Sequence, residues 1–327
     1  MRSDRKHTGF IFFLAGLLSL VMGCRQPGPV PQGSPAASLQ GDLIIFHAGS
    51  LSVPFKVMAD SFMKQHPGVR VMLEAAGSVA SVRKITDLGR NPDILASADA
   101  YIIDRFLIPD HADWNLPFAT NELVIAYHPR SRKHEALTES TWTQLLLDPS
   151  ITYGRSDPNS DPCGYRTLMM LQLAEAHYQQ PGLTEAFSSR HRQHIRPKEV
   201  DLLALLESGN LDYIFIYRSV AQQHELPFLE LPPEINLGDP LQADRYLRAQ
   251  VKIPGNAPGE WVDLSGAPTV YGICLLRDAP HRETAEAFLR FLVSPENGLA
   301  IISHLGQQPY PGDLAARLDS LLSVNLL

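Results

Sequence analysis

Strands and helices alternate along the first part of the chain, and this alternation limits the possible folds more than any other feature. The apolar stretches 42–46 (DLIIF), 69–75 (VRVMLEA) and 93–96 (DILA) are typical of short strands. Between them, 51–66 and 79–88 carry apolar residues at helical spacing. A strand–helix–strand order predicts parallel strands joined by helices, because a parallel connection needs a long crossover. The sequence therefore predicts an α/β fold and excludes all-α and all-β architectures.

The first two strands each lead into a Gly-Ser turn that opens a helix. These turns, Gly49-Ser50 and Gly77-Ser78, lie 28 residues apart, which is one strand–helix unit. Free backbone N–H groups at helix N-termini bind anions, and open sheets bind ligands at the carboxyl ends of their strands. Serine is also an ordinary N-cap residue, so a capping role is the alternative for each turn. Two such turns in register indicate an anion site.

The later part of the chain contains a second strand–helix region, after which the chain returns to the first. This order predicts a bilobal molecule with two parallel-rich sheets flanked by helices and a ligand cleft between the lobes. We expect lobe 1 to comprise 41–121 plus 266–327, and lobe 2 to comprise 122–265. The segments behind this expectation are the predicted strands 122–127, 151–154, 212–217 and 269–275 and the predicted helices 139–147, 167–178, 200–207, 219–224 and 282–293.

Length and charge agree with a two-lobed binding protein. The chain has 327 residues, of which 44% are hydrophobic, enough for two domains on the usual size range. Its formal net charge is −7, which argues against a nucleic-acid partner, because such proteins carry a basic surface. Any anion bound by this acidic chain must be held by local groups rather than by the overall field.

The N-terminus is typical of an exported protein. A basic start is followed by an apolar run of 14 residues, 9–22, whereas a membrane span needs about 20. The run ends in Leu20-Val21-Met22-Gly23-Cys24, which resembles a bacterial lipobox. The prediction is a lipoprotein signal peptide over 1–23, lipidation at Cys24, and a flexible tether rich in Pro, Gly and Ser over 24–40. A plain signal peptide with an incidental cysteine is the alternative.

The two remaining cysteines, Cys163 and Cys274, are predicted to be free thiols, although an exported protein could pair them in a disulfide. Cys163 near a helix start could also be a nucleophile, with His177 or His191 as its base. No spacing selects either histidine, so an exported cysteine hydrolase is the weaker reading. We predict that the protein is not an enzyme and needs no cofactor.

Three further residues have both an ordinary and a functional interpretation. Asp161 before a helix is a usual N-cap, and Glu199 before a leucine-rich helix is a usual first-turn carboxylate. Tyr217 at the end of an apolar strand is more typical of a core edge than of a ligand donor. Taken singly, none of these residues decides between a structural role and ligand binding.

Longer motifs resemble one family, the archaeal-type tungstate/molybdate-binding proteins of ABC transporters. The similarity spans about 42–312 and implies a bilobal periplasmic-binding-protein fold of the second type with an oxyanion in the cleft. The segments that carry it are FHAGSLSVPF at 46–55, EAAGSVA at 74–80, RKITDLG at 83–89, DILASAD at 93–99, DPNSDPCGYRT at 157–167 and YRSVAQQH at 217–224.

The resemblance also implies which residues contact the ligand. In that family the oxyanion contacts the two Gly-Ser turns, a loop that matches Asp161, a glutamate that matches Glu199 and a tyrosine that matches Tyr217. The implied partners are tungstate or molybdate and the permease subunits of an ABC transporter, with a monomeric protein held to the membrane by its lipid anchor. The full set of expected ligand residues is Gly49, Ser50, Gly77, Ser78, Asp161, Pro162, Cys163, Glu199 and Tyr217.

Two carboxylates in an anion site need a chemical reason. Against sulfate or phosphate they would be repulsive, by roughly 4 kcal/mol for each close charge pair near a protein surface. Molybdenum(VI) and tungsten(VI) can accept extra oxygen ligands, so Asp161 and Glu199 are expected to bond to the metal centre while N–H and O–H groups bind the oxo oxygens. A binder of another small oxyanion on the same fold is the alternative.

Overall fold

The structure is a computed structural model that describes residues 39–255, 257 and 259–324. The predicted signal peptide 1–23, the predicted lipidation site Cys24 and the tether up to residue 38 lie outside the described residues. Within the described part of the chain, no helix is both long enough and apolar enough to span a membrane.

The elements alternate as the sequence predicts. The strands, in chain order, are β1 Gln40–Ala48, β2 Gly68–Ala76, β3 Ile94–Ser97, β4 Leu116–Asn121, β5 Leu123–Tyr127, β6 Tyr153–Ser156, β7 Ile195–Arg196, β8 Tyr213–Tyr217, β9 Phe228–Glu230, β10 Gln250–Pro254, β11 Trp261–Ser265, β12 Thr269–Leu275 and β13 Gln308–Pro309. The helices are α1 Ser52–Gln65, α2 Ser78–Thr86, α3 Ala100–Phe106, α4 Trp142–Leu146, α5 Pro162–His177, α6 Leu183–Ser189, α7 Leu203–Glu207, α8 Arg218–Gln223, α9 Ala243–Tyr246, α10 Arg282–Val293, α11 Gly298–His304 and α12 Leu314–Val324.

Two mixed sheets organise the fold. The six-stranded first sheet has the order β13-β4-β12-β3-β1-β2, and the five-stranded second sheet has the order β7-β6-β8-β5-β9. In the first sheet β1 pairs in parallel with β2 and β3, and in the second β6 pairs in parallel with β7 and β8. The other pairings within these sheets are antiparallel. We call each sheet, with the helices that follow its strands, the first half and the second half.

The chain passes between the halves at two places close together. β4 of the first sheet ends at Asn121, and β5 of the second sheet begins at Leu123. The return path runs through the hairpin of β10 and β11 into β12, whose Thr269 pairs with Asn121. The crossing segments are therefore neighbours, which is the arrangement that lets two halves move about a hinge.

Each half has its own aromatic core. In the first, Phe55 lies 6.1 Å and Phe62 lies 5.3 Å from Phe288, measured between ring centroids. In the second, Phe187 lies 5.6 Å from Trp142 and 5.2 Å from Tyr153. All of these side chains are almost fully buried, so each sheet is anchored to its helices by burial of large apolar surface.

The main departures from the predicted elements concern boundaries. The helix predicted at 167–178 begins at Pro162, because proline fits the first helical position, where its missing N–H costs nothing. The helix predicted at 200–207 is a 3₁₀ turn, Glu199–Leu202, followed by the short α7. The antiparallel pair β10 and β11 was not predicted, although both segments alternate apolar and polar residues.

Candidate functional site

The two Gly-Ser turns lie side by side at the carboxyl edge of the first sheet. β1 and β2 are parallel neighbours, and their register places Ala48 opposite Ala76. The residues that follow are Gly49-Ser50, in a 3₁₀ turn that leads into α1, and Gly77, which precedes Ser78 at the start of α2. The predicted alignment of the turns is therefore confirmed.

The second half brings two carboxyl side chains together at its own carboxyl edge. Asp161 is the N-cap of α5, and its Oδ1 accepts a hydrogen bond from the N–H of Cys163 at 3.4 Å. Its Oδ2 accepts a hydrogen bond of 2.9 Å from the N–H of Glu199, 38 residues further along the chain. Parallel pairing of Ser156 with Arg196 aligns the strands that lead to these two residues. Asp161 thus has the capping role and, in addition, fixes the backbone of Glu199.

Glycine at positions 49 and 77 allows the two halves to meet. A Cβ atom on Gly77 would lie 2.2 Å from the carbonyl oxygen of Ser160, and real Cβ contacts are not that short. A Cβ atom on Gly49 would lie 3.1 and 3.2 Å from the two carboxylate oxygens of Glu199. The backbone of the first half therefore lies directly against Glu199 and the loop before Asp161.

The side chain of Glu199 is buried beside the side chains of Asp161 and Ser50, without a well-formed hydrogen bond to either. Only 1% of Glu199 is exposed, and neither carboxylate oxygen has a hydrogen-bond partner among the described residues. Burial raises the pKa of Glu199 well above its ordinary value, and the charge of nearby Asp161 raises it further. Burial also raises the pKa of Asp161, although its hydrogen bonds oppose the shift. A buried carboxylate of this kind is costly unless a ligand compensates it.

Tyr217 is a second buried polar group without an internal partner. It is fully buried at the end of β8, and its hydroxyl forms no hydrogen bond with any residue that the structure describes. Its ring centroid lies 5.9 Å from that of Tyr271. Burial raises the pKa of Tyr217 well above its ordinary value, although the charge of Arg166 opposes the shift, so the hydroxyl stays protonated and can donate.

A hydrogen-bonded chain that the sequence did not reveal supports Ser50. The Tyr271 hydroxyl donates to Ser50 Oγ at 2.9 Å, and Asn121 Nδ2 donates to the Tyr271 hydroxyl at 3.0 Å. Asn121 Nδ2 also lies 2.7 Å from Ser219 Oγ in the second half. The available signal was that Asn121 and Tyr271 are polar residues at or close to the predicted lobe boundaries 121/122 and 265/266.

The remaining expected ligand residues have internal roles. Ser78 Oγ is fully buried and accepts a hydrogen bond of 3.0 Å from the N–H of Ala98, so its hydroxyl supports the loop after β3. Pro162 is the first residue of α5. The Cys163 thiol donates toward the carbonyl oxygen of Phe215 at 3.8 Å and points into the second half. The structure thus brings Gly49, Ser50, Gly77, Asp161 and Glu199 together.

Both described cysteines are buried and free, as predicted. Burial raises the pKa of the Cys163 thiol well above its ordinary value and raises that of Cys274 to about 12. Since the thiolate is the reactive form, we expect neither residue to be alkylated in the native protein at neutral pH. Peptide mapping after iodoacetamide treatment, with and without denaturant, measures this. Rapid native labelling of Cys163 would contradict it.

No group of three or more His, Cys, Asp or Glu side chains suited to a metal ion occurs in the described ranges. What the site offers is two carboxyl groups, backbone N–H groups and hydroxyls, all at the junction of two halves. Such an arrangement, on two α/β sheets joined by neighbouring crossings, defines a solute-binding protein of the type II periplasmic class.

The chain belongs to the family of bacterial extracellular solute-binding proteins, whose family model matches residues 43–304. This confirms the predicted class: a transport protein that binds a solute, rather than an enzyme with a cofactor. Family membership also makes it an exported protein.

Two named relatives and one solved structure agree with the resemblance. The chain is 40% identical to the molybdate/tungstate-binding protein WtpA of Pyrococcus abyssi, over 85% of this chain and 86% of that one. It is 42% identical to the protein of the same name from Thermococcus kodakarensis, over 78% of each chain. The periplasmic molybdate-binding protein of Azotobacter vinelandii has the same fold, with a TM-score of 0.59 at 17% identity, over 83% of this chain and all of that one.

Proposed function

We propose that this protein captures tungstate or molybdate outside the cytoplasm and delivers it to an ABC transporter. The observation that carries the proposal is the carboxylate of Glu199, buried against Gly49 and without a partner in the described chain. The relatives named as molybdate/tungstate-binding proteins support the same assignment.

The proposed contacts divide between the metal and its oxo groups. Asp161 and Glu199 supply anionic oxygens to the molybdenum or tungsten centre, which can accept ligands beyond its oxo oxygens. The hydroxyls of Ser50 and Tyr217 and the backbone N–H groups of the turns donate to the oxo oxygens. The Ser78 hydroxyl can also donate, because its oxygen only accepts from the N–H of Ala98, whereas Gly77, Pro162 and Cys163 shape the site through their backbone, since the thiol has another partner.

Selectivity follows from the sign of the charges. Sulfur and phosphorus in their tetrahedral oxyanions accept no further ligand, so sulfate and phosphate would meet two carboxylates without any compensating bond. Closure over those anions would cost free energy, whereas closure over tungstate or molybdate would gain two metal–oxygen contacts.

Closure and anchoring complete the proposal. We assign lobe 1 to 41–121 plus 266–327 and lobe 2 to 122–265, with the ligand stabilising the closed state because it bonds to both lobes.

Lipidation at Cys24 would hold the monomer at the membrane through the tether. A Cys24→Ser variant is expected to move from the detergent phase to the aqueous phase on partitioning.

Calorimetric titration with tungstate, molybdate, sulfate and phosphate tests the function. We expect one site that takes tungstate or molybdate and rejects sulfate and phosphate. The Glu199→Gln variant should lose most of the affinity. The matched control is Asp201→Asn, two residues away, whose carboxyl is half-buried and pairs with Lys198 at 3.5 Å. Equal binding of sulfate and tungstate, or no effect of Glu199→Gln, would contradict the assignment.

The ligand-free protein should open as the pH rises. The pKa of Glu199 is raised in the closed state, so that state binds an extra proton. Closure is therefore favoured below the ordinary glutamate value near 4.5 and is lost as the pH rises through the closed-state pKa. Small-angle scattering without ligand should give a larger radius of gyration at neutral pH than near pH 4.5. The Glu199→Gln variant should lose most of this dependence; an unchanged dependence in that variant would point to other groups.

A further inference from the structure

Three side chains beside the site join the two halves through one ion pair and one hydrogen bond. Arg166 Nη2 lies 2.8 Å from Asp99 Oδ2, and the Tyr165 hydroxyl donates to the same oxygen at 2.6 Å. Asp99 is the N-cap of α3 in the first half, whereas Tyr165 and Arg166 lie on α5 in the second. The side chains of Arg166 and Asp99 are only 3% and 10% exposed, so the pair is almost dry.

Arg166 also binds the segment that crosses between the halves. Its Nη1 donates to the carbonyl oxygen of Ala267 at 3.0 Å and to Thr269 Oγ1 at 3.2 Å. One guanidinium therefore connects three parts of the chain: the start of α3, the helix α5 and the entry to β12. These contacts lie outside the set of groups expected to touch the oxyanion.

The cluster is one step removed from the site on both sides. α5 carries Asp161 as its N-cap, five residues before Arg166. On the other half, Asp99 directly follows Ala98, whose N–H donates to Ser78 Oγ at the start of α2. Both connections are short and held by hydrogen bonds. The distance between Asp99 and Arg166 therefore fixes how closely Asp161 and the Gly77-Ser78 turn approach each other.

We propose that Asp99, Tyr165 and Arg166 form an interlobe lock: positioning residues that form their contacts on closure and set how long the oxyanion stays bound. The lock rests on the proposed function, since it assumes that the halves close over a ligand. When the halves separate, Asp99 and Arg166 both return to water, so the open state does not need the pair. Removing one partner leaves a buried charge uncompensated in the closed state alone.

The lock predicts a kinetic effect that a ligand contact would not give. With the pair broken, the closed complex opens more often, so the dissociation rate should rise, while association, which starts from the open form, should change little. The ratio of tungstate to molybdate affinity should also be unchanged, since none of the three residues touches the ligand.

The variants are chosen so that the protein still folds. Asp99→Asn keeps the N-cap of α3, where the side chain accepts from the N–H of Tyr101, because asparagine caps as well as aspartate. Tyr165→Phe removes one hydroxyl only. In the open protein Asp99 and Arg166 both face water, so a charge left unpaired in the variant opposes closure and not folding. Asp212→Asn is the matched control: Asp212 is also nearly buried, but its partner Arg132 lies in the same half.

The experiment measures release of radiolabelled tungstate after an excess of unlabelled tungstate, together with the association rate and scattering at saturation. We expect Asp99→Asn and Arg166→Gln to release tungstate at least about tenfold faster than wild type, Tyr165→Phe to release it roughly threefold faster, and Asp212→Asn to match wild type. Their association rates and tungstate-to-molybdate ratios should stay within about threefold of wild type.

Two outcomes overturn the lock while the proposed function stands. Wild-type release rates in Asp99→Asn would show that the pair does not hold the closed state, and a changed tungstate-to-molybdate ratio would make these residues part of the ligand site. If instead the wild-type protein binds neither tungstate nor molybdate, the proposed function fails and the lock fails with it.

Discussion

Asp161→Asn is expected to weaken tungstate binding by roughly 2–4 kcal/mol, the range for loss of one partner in a charge-assisted contact. The substitution keeps the size of the side chain but replaces an anionic oxygen with a neutral amide. Sulfate affinity should stay the same or increase, because one repulsive charge has been removed. Calorimetric titration of a single purified variant with both anions measures the two effects.

The capping role of Asp161 predicts a different result. Asparagine is about as good an N-cap as aspartate, so a residue that only capped α5 would tolerate the change. Both affinities would then stay near wild type, and the free energy of unfolding would shift by only a few tenths of a kcal/mol through the helix dipole. Near-wild-type tungstate binding would therefore refute coordination by Asp161 and leave the fold assignment intact.

The hydrogen bond from Glu199 N–H to Asp161 Oδ2 adds a second route to the same loss. If asparagine presents its amide nitrogen to that N–H, the 3₁₀ turn that carries Glu199 loses its support. Glu199→Gln separates the routes, because it removes the second carboxylate without touching this hydrogen bond. The losses of tungstate binding free energy in the two single variants can be compared with the loss in the double variant. If they do not add, the two carboxylates act as one unit.

The course of the first half could be predicted because local patterns decide it. β1 and β2 each contain an apolar run, 43–46 and 71–73, and each is followed by small residues and a helical repeat, so register and connection leave little choice. Two parallel neighbours with such turns must place Gly49 and Gly77 at the same edge. That part of the site follows from the period of the sequence alone.

The contacts between the halves could not be predicted in the same way. Asp161 and Glu199 are 38 residues apart, and the pairing of β6 with β7 aligns the strands that lead to them. β7 is just two residues long and follows a polar segment, so it has no detectable hydrophobic period. The support of Ser50 by Tyr271 is more distant still, at 221 residues, and depends on how the crossing segments return.

For single residues that have a common structural role, the sequence does not show whether they also bind the ligand. Asp161 is both a cap and a group that holds Glu199, and the sequence could suggest only the choice between roles. In Cys163 the two polar groups have different partners. The thiol donates toward the carbonyl oxygen of Phe215, while the N–H donates to Asp161 Oδ1. A motif identifies such positions but does not say which atom is used.

Gly77→Ala is expected to weaken tungstate binding by about 3 kcal/mol, or roughly a hundredfold in Kd, at the upper end of the cost of overpacking. The new Cβ would lie 2.2 Å from the carbonyl oxygen of Ser160, a backbone atom that cannot rotate away. Gly77 has a φ of −59°, which alanine adopts freely, so the substitution adds a collision between the halves without straining the turn itself.

The effect should appear in closure and not in folding. In an open molecule Ser160 moves away with the second half, so thermal unfolding without ligand should be unchanged, whereas saturating tungstate should reduce the radius of gyration less than in wild type. Gly68→Ala is the matched control, since its Cβ would lie 2.8 Å from the carbonyl oxygen of Leu39, within one half. That variant should lose thermal stability and keep its tungstate affinity. If Gly77→Ala instead lowers ligand-free stability and leaves affinity intact, the contact between Gly77 and Ser160 persists in the open protein, and closure is not what brings these two segments together.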